Sequence, residues 1–488
     1  MKKASKPLKQ GPAWTFDDLT EYEKVIEEVA VEEFGLDFYP NQLEIVTSEQ
    51  MIDAYASTGL PITYNHWRYG KYHSYQSNSY KQGKSGLAYE MVINSDPCIS
   101  YLMENNNLCT QALVIAHAAM GHNAFFKGNF LFKEWTQPDA IVDYCLFARD
   151  YIAKCEKKYG YEEVEKILDA CHSLEGHGVD KYKRPPPLSR KKEIEQQEKR
   201  IEEDQKHIYE FWKTLPIKEE STIEEGPEEC CFPSEPQENI LYFLEKNSPV
   251  LKPWQREIVR IVRKFSQYFY PQGQTKVSNE GFATFMHYEI IYKMFDLGYL
   301  EDGFMQNFNE LHTGVVAQFQ YHTINPYYLG FNMYQEIKRI CSEPTAEDKE
   351  WFPTIVDTDW KKEVIFAMQN FKDESFIRQY LSPELIRKMR LFNVHDDSEL
   401  DEYSITHISN DDGYKEIRKA LSREYNRAYQ IPDIQVTKAN IKTDRKLTLT
   451  YYPINDIPIE ANDLAATEDY LDLLWGFDTK IVEEKKKK

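Results

Sequence analysis

The stretch IAHAAMGHNAFFKGN, residues 115–129, closes an apolar run with two histidines, glycine and asparagine. It reads as the polar end of a core helix, as a metal site or as a catalytic constellation, and the choice decides how the fold is built around it. His117 and His122 are five apart, which sets them about 140° apart on a regular α-helix of 3.6 residues per turn. Such a helix cannot aim both at one ion. The zinc-protease spacing is HExxH, with histidines four apart and a glutamate base beside the first, whereas residue 118 here is alanine. Sharing a metal therefore requires the helix to break at Gly121, as glycine allows. The structural alternative is a pair of hydrogen-bonded core histidines.

Outward from this stretch, the 488-residue chain is 41% hydrophobic and 14% aromatic, enough to bury a large core. Its formal charge of -21 opposes a phosphate backbone, so nucleic acid is not an expected partner. The eight cysteines, at 98, 109, 145, 155, 171, 230, 231 and 341, make no CxxC and fall mostly in apolar runs. They read as reduced, buried thiols of a cytoplasmic chain. The basic start MKKASKPLKQ has no apolar stretch behind it, and no segment reaches the ~18 apolar residues of a membrane span.

The pattern predicts a mainly α protein: a helical body over 15–390 and a small C-terminal α+β domain over 400–484. FDDLTEYEKVIEEVAVEEFG has helical spacing and a glycine stop at Gly35. SEQMIDAYASTG and SDPCISYLMENNN read as further helices, the second with Pro97 in its first turn, and LAYEMVI (87–93) as one strand between them. Two helical halves, 15–180 and 238–390, are joined by a charged helix and an acidic, proline-bearing linker over 188–236. In the tail, DEYSITHIS, PDIQVTKANI, KLTLTYYPI and FDTKIVEE alternate like strands, with two helices between them. That order suggests a split β-α-β, ferredoxin-like unit.

Four further clusters carry polar chemistry. In NEGFATFMHYE (279–289), Glu280 and His287 stand two turns apart on one face. They form either a pair that stabilises helix packing or, facing His117 and His122, a His/Glu metal centre. CHSLEGHGVDKYKRPPP brings His172, His177, Asp180, Lys181 and Arg184 beside a stiff proline run, which suits a site edge or a salt-bridge knot equally. YNHWRYGKYHSYQSNSYKQGKSGLAYE supplies Tyr64, His66, Trp67 and Arg68, with Asn123 from the opening stretch as a further donor. Aromatic faces beside guanidinium and amide groups fit a glycan or peptide ligand, and long tyrosines wrapping a helical body are the plainer account. ELHTGVVAQ with YHTINPYYLGF adds His312, His322 and Asn325.

Taken together, HWRYGK, SGLAYEMVINSDPCISYLME, QALVIAHAAMGHNAFFKGN, CHSLEGHGVDKYKRP, NEGFATFMHY and INPYYLGF resemble the bacterial stage V sporulation protein R (SpoVR-like) family over nearly all of residues 15–480. Ala119, Met120 and the acidic 217–236 segment depart mildly from its usual pattern and leave the histidines intact. The resemblance implies a cytoplasmic protein of sporulation, tied to spore cortex assembly, or of stationary-phase and stress physiology in bacteria that do not sporulate. It implies as partners a PrkA-type kinase/AAA+ protein and a von Willebrand A-like protein, and no established reaction. Three functions stay open: a regulatory or assembly factor; a metal-dependent hydrolase; and a glycan or peptide binder. In the hydrolase, His117, His122 and Glu280 hold a divalent metal such as zinc, and His287, His172 or His177 serve as acid/base groups. NEGFATF is similar to the helix that carries the glutamate ligand in some zinc peptidases.

Overall fold

Helix Phe16–Phe34 shows how local sequence sets the elements of the computed structural model. Thr15 accepts the Asp18 N–H while the Asp18 carboxylate accepts the Thr15 N–H, a reciprocal cap. Gly35 ends the helix at φ 67°, a left-handed conformation that glycine adopts readily. The structure describes residues 6–57, 60, 62–82, 90–180, 199, 232–233, 235–318, 323–391, 394–397, 402–405, 411–441, 443–453 and 458–484. Lys181, Arg184 and His322 lie outside these residues, as does almost all of the charged helix and acidic linker of 188–236. The chain divides into two compact units, Met1–Asp169 with Lys264–Ile431, and Ala170–Arg263 with Pro432–Lys488.

In the first unit, strands β1 (Asn41–Val46), β2 (Glu90–Ile93) and β3 (Cys98–Met103) form a sheet in the order β1-β3-β2. β1 runs parallel to β3 and β2 antiparallel. The helix expected over SDPCISYLMENNN is thus strand β3. Cys98, Ile99, Ser100, Leu102 and Met103 are all buried, and a short run covered on both faces carries no periodicity that separates strand from helix.

Helix Lys276–Asp296 runs through the core of this unit, packed against the segment Ile115–His122 and against helix Pro326–Ser342. Glycines let the backbones meet. A Cβ on Gly281 would lie 2.4 Å from the Gly330 backbone, so the two helices touch main chain to main chain there. The first turn of helix Lys276–Asp296 has no side-chain cap from Thr275. Asp373, distant in sequence and buried, replaces it by accepting the Val277 and Ser278 N–H groups at 2.9 and 2.8 Å.

Asp373→Ala is expected to cost about 2 to 4 kcal/mol in a urea melt, since two buried donors lose their acceptor. Asp373→Asn keeps one acceptor and should cost less. Burial raises the Asp373 carboxyl to about 7 despite those two bonds, against an ordinary value of 3.8. Between about pH 4 and 7 the folded state therefore holds a proton that the unfolded chain has released, and the contribution of this group falls as pH rises through that window. Melts across that range should show the Asn variant gaining on the wild type toward pH 7.

The plan is mainly α with a small C-terminal α+β region. Its strand order differs from the split β-α-β expected. The strand β5 (Glu402–Ile405) pairs with β4 (Val394–Asp397) in a hairpin of its own. The next helix, Asp411–Glu424, places Tyr414 and Leu421 in the core of the first unit, so its apolar stripe is spent there. In the second unit β6 (Asp433–Ala439), β7 (Leu447–Tyr452) and β8 (Thr479–Glu483) make a three-stranded sheet, β6-β7 antiparallel and β7-β8 parallel. Helix Ala461–Trp475 crosses from β7 to β8. Cys98, Cys109, Cys145, Cys155, Cys171 and Cys341 are buried free thiols. No helix among the described residues is long and apolar enough to cross a membrane.

Candidate metal centre

The segment Ile115–His122 is a π-helix. The Asn123 N–H reaches back five residues to the Ala118 carbonyl, the i→i+5 bond that widens each turn. Residues five apart then come round to one side, and the His117 and His122 rings meet with centroids 4.6 Å apart. The break at Gly121 that a shared site demanded is therefore not needed: the helix continues without interruption into Asn123–Gly128. Gly121 has a different task. A Cβ there would sit 2.6 Å from the Ala283 Cα, so its lack of a side chain lets the π-helix lie directly on helix Lys276–Asp296.

That contact brings Glu280 to the histidines. Its Oε2 is 3.3 Å from His122 Nε2 and 3.7 Å from His117 Nε2. Glu90, on β2, adds Oε1 at 3.4 Å from His117 Nε2. Donor atoms of Glu90, His117 and His122 all lie within 4.8 Å of one another. Ligands at zinc distances of about 2.0 to 2.2 Å in a tetrahedron stand about 3.3 to 3.6 Å apart, and the carboxylate–imidazole separations of 3.3, 3.4 and 3.7 Å are near that spacing.

Electrostatics and hydrogen bonding agree with that arrangement. Burial alone would raise Glu280, yet the His122 and His117 rings outweigh it and hold the carboxyl well below its ordinary range. Burial pushes Glu90 up, against the pull of the same two histidines. His122 is raised to about 9: burial opposes its charge, and Glu280, Glu90 and Asn279 together prevail. Asn279 Oδ1 sits 3.0 Å from His122 Nδ1, which places the Nδ1 proton there and leaves Nε2 for the carboxylates or an ion. Glu90 Oε2 and Glu280 Oε2 are buried without a well-aligned hydrogen bond, Glu280 Oε2 facing His122 Nε2 at 3.3 Å.

The cluster opens on a cavity of about 890 Å³, lined among others by Tyr55, Arg68, Tyr72, Lys276 and Tyr327. Tyr327 stacks on His117 at 6.1 Å. The Glu280 charge, then burial, then Glu90 raise its phenol well above the ordinary value, which keeps its O–H available as a donor. Glu90 and Tyr327 escaped the sequence reading. Glu90 had a signal, as the charged residue of an otherwise apolar strand in LAYEMVI.

A family model described as "SpoVR like protein" matches residues 13–430, and one described as "SpoVR-like C-terminal domain" matches 432–486. The chain belongs to the SpoVR-like family. It is 50% identical to the "Uncharacterized protein YcgB" of Escherichia coli (strain K12), over 99% of this chain and 95% of that one. No solved structure matches.

The remaining candidates of this SpoVR-like chain fall elsewhere. His287 lines the cavity behind His117, fully buried, with its Nδ1 3.0 Å from His117 Nδ1 and its Nε2 2.8 Å from His312 Nδ1. Burial first, then the neighbouring histidines, lower His287 well below its ordinary value, and burial then His117 lower His312 to about 4. His172 pairs with Glu175 at 3.3 Å, and His172, His177 and Asp180 belong to the second unit, whereas the cavity is lined wholly by the first. Asn123 is a strut, bonding the Tyr39 backbone and Asn41 at the start of β1. Tyr64 is buried against Tyr69 and Phe265. His66 caps helix Trp67–Lys81 by accepting the Arg68 N–H and lies 3.1 Å from Asp169, which also accepts the Trp67 indole N–H. Of that aromatic group Arg68 reaches the cavity. The acidic trio Glu336, Asp348 and Glu384 closes on Arg339, a cation the chain itself supplies.

Proposed function

We propose that this SpoVR-like chain is a metal-dependent hydrolase, with zinc held by His117, His122 and Glu280 and with Glu90 as a fourth ligand or as the base. What carries the reading is that Glu280 comes within 3.3 and 3.7 Å of the His122 and His117 Nε2 atoms and Glu90 within 3.4 Å of His117 Nε2, all four residues lining one cavity. Bound there, zinc would lower the pKa of its water to ~7 and polarise a substrate carbonyl. The protein's own groups then supply the rest. Glu90 stands where the missing glutamate of HExxH would be wanted, as a carboxylate beside the ion to take a proton from water. The Tyr327 phenol faces the same space and can donate to an oxygen that gains negative charge.

The setting we infer is the cytoplasm, in spore cortex assembly or stationary-phase stress, beside a PrkA-type kinase and a von Willebrand A-like protein; this rests on the family resemblance. A regulatory role would then be exercised through hydrolysis. Metal analysis of protein purified without chelator tests the reading: about one zinc per chain supports it, and a trace amount defeats it. Glu90→Gln separates the two roles of Glu90. Near-normal zinc content with loss of any hydrolytic activity marks it as the base, and loss of zinc marks it as a ligand.

A further inference from the structure

Three histidines from three elements stand in a row behind the candidate centre: His117 on the π-helix, His287 on helix Lys276–Asp296 and His312 on helix Asp302–Val315. His117 Nδ1 and His287 Nδ1 are 3.0 Å apart, and His287 Nε2 and His312 Nδ1 2.8 Å apart. Each of these contacts can hold one proton, and a ring that accepts at one nitrogen carries its proton on the other, so along such a row the protons point the same way. Two polarities result. If His312 donates inward, His117 is left with its proton on Nε2, facing Glu90 and Glu280. If His117 donates outward to His287, and His287 to His312, the His117 Nε2 lone pair faces the carboxylates.

We propose that His312 is a positioning residue for the metal centre: as terminal acceptor of the row it fixes the outward polarity, and so holds the His117 Nε2 lone pair toward Glu90 and Glu280. A metal-ligating histidine ordinarily gives its other N–H to a carboxylate, carbonyl or water. Here the acceptor is a second histidine, which must itself be supported, and His312 is the group that supports it. It does so without touching the cavity, from a cage of Phe308, Phe331 and Tyr288 rings at 5.9, 4.8 and 5.0 Å. An aromatic cage would hold a phenylalanine equally well, so packing alone does not require histidine.

The proposal rests on the metal reading, and the experiment separates the two. Zinc affinity of the full-length chain is measured by competition with a chromophoric chelator for wild type, His312→Phe, His312→Asn and His312→Gln, beside melting curves of the metal-free proteins. His312→Phe keeps the packing and removes the acceptor, and should bind zinc about 10- to 100-fold more weakly, the usual penalty for losing a ligand's hydrogen-bond support. His312→Asn returns an oxygen where Nδ1 stood and should recover most of that loss. His312→Gln sets its oxygen one bond further out and should not, a contrast that remains decisive even if the phenylalanine variant folds poorly. Equal affinity across the variants of a zinc-binding wild type overturns the relay alone, as does a glutamine variant that matches asparagine. A wild type that takes up no zinc overturns the relay and the metal reading together.

Discussion

Gly121→Ala is expected to destabilise the protein by about 2 to 3 kcal/mol and to strip the candidate centre of its metal. The sign is the opposite of helix propensity, by which alanine gains roughly 1 kcal/mol over glycine in a helix interior. The reversal comes from Ala283. A Cβ at 121 would meet its Cα at 2.6 Å and its Cβ at 2.8 Å, and the nearer obstacle is backbone that no rotamer change can move aside. Overpacking of this kind costs ~1 to 3 kcal/mol and is relieved by separating the elements. Separation here draws His117 and His122 away from Glu280. A thermal melt falling by several degrees together with loss of zinc supports the packing account; a variant with unchanged or raised stability contradicts it.

His122→Ala should lower zinc affinity by at least about 100-fold, beyond the range seen when only a supporting hydrogen bond is lost. His122 is 7% exposed, its Nδ1 is committed to Asn279, and its Nε2 has Glu280 as nearest carboxylate at 3.3 Å. Removing the ring would take away one of the proposed ligands and leave Glu280 beside an uncompensated gap. Metal-free stability should fall too, because the pair lost is a buried one. A His122→Ala protein that retains stoichiometric zinc after dialysis would place the metal elsewhere, and the reading of the cavity would have to be abandoned.

How far the fold and site were legible depended on which periodicity governed each stretch. Helix Phe16–Phe34 was readable because its apolar stripe and its Gly35 stop are local features. The His117–His122 pair misled because the 3.6-residue period was assumed for it, and five-residue spacing fails on an α-helix yet succeeds on a π-helix. A search tuned to histidines four apart passes over such a site. Glu280 stood out by the face it shares with His287, and the structure brings its Oε2 within 3.3 Å of His122 Nε2. Glu90 was missed because it arrives from a strand, where a single acid among apolar residues says nothing about what it faces until the sheet is placed. In the tail, alternation identified strands, and pairing depended on where the apolar stripe of helix Asp411–Glu424 was buried, which alternation does not encode.

The donors of the centre sit at positions 90, 117, 122 and 280, so one ion would tie together segments nearly two hundred residues apart in the chain. No part of this set is preformed in an unfolded chain, and an ion that binds only the assembled arrangement adds its binding free energy to folding. At a free concentration 100 times its Kd that is about 2.7 kcal/mol. Beyond any chemistry it performs, the ion would act as a staple: its loss would loosen the two halves of the helical body from each other, and metal supply would set how long the folded chain survives.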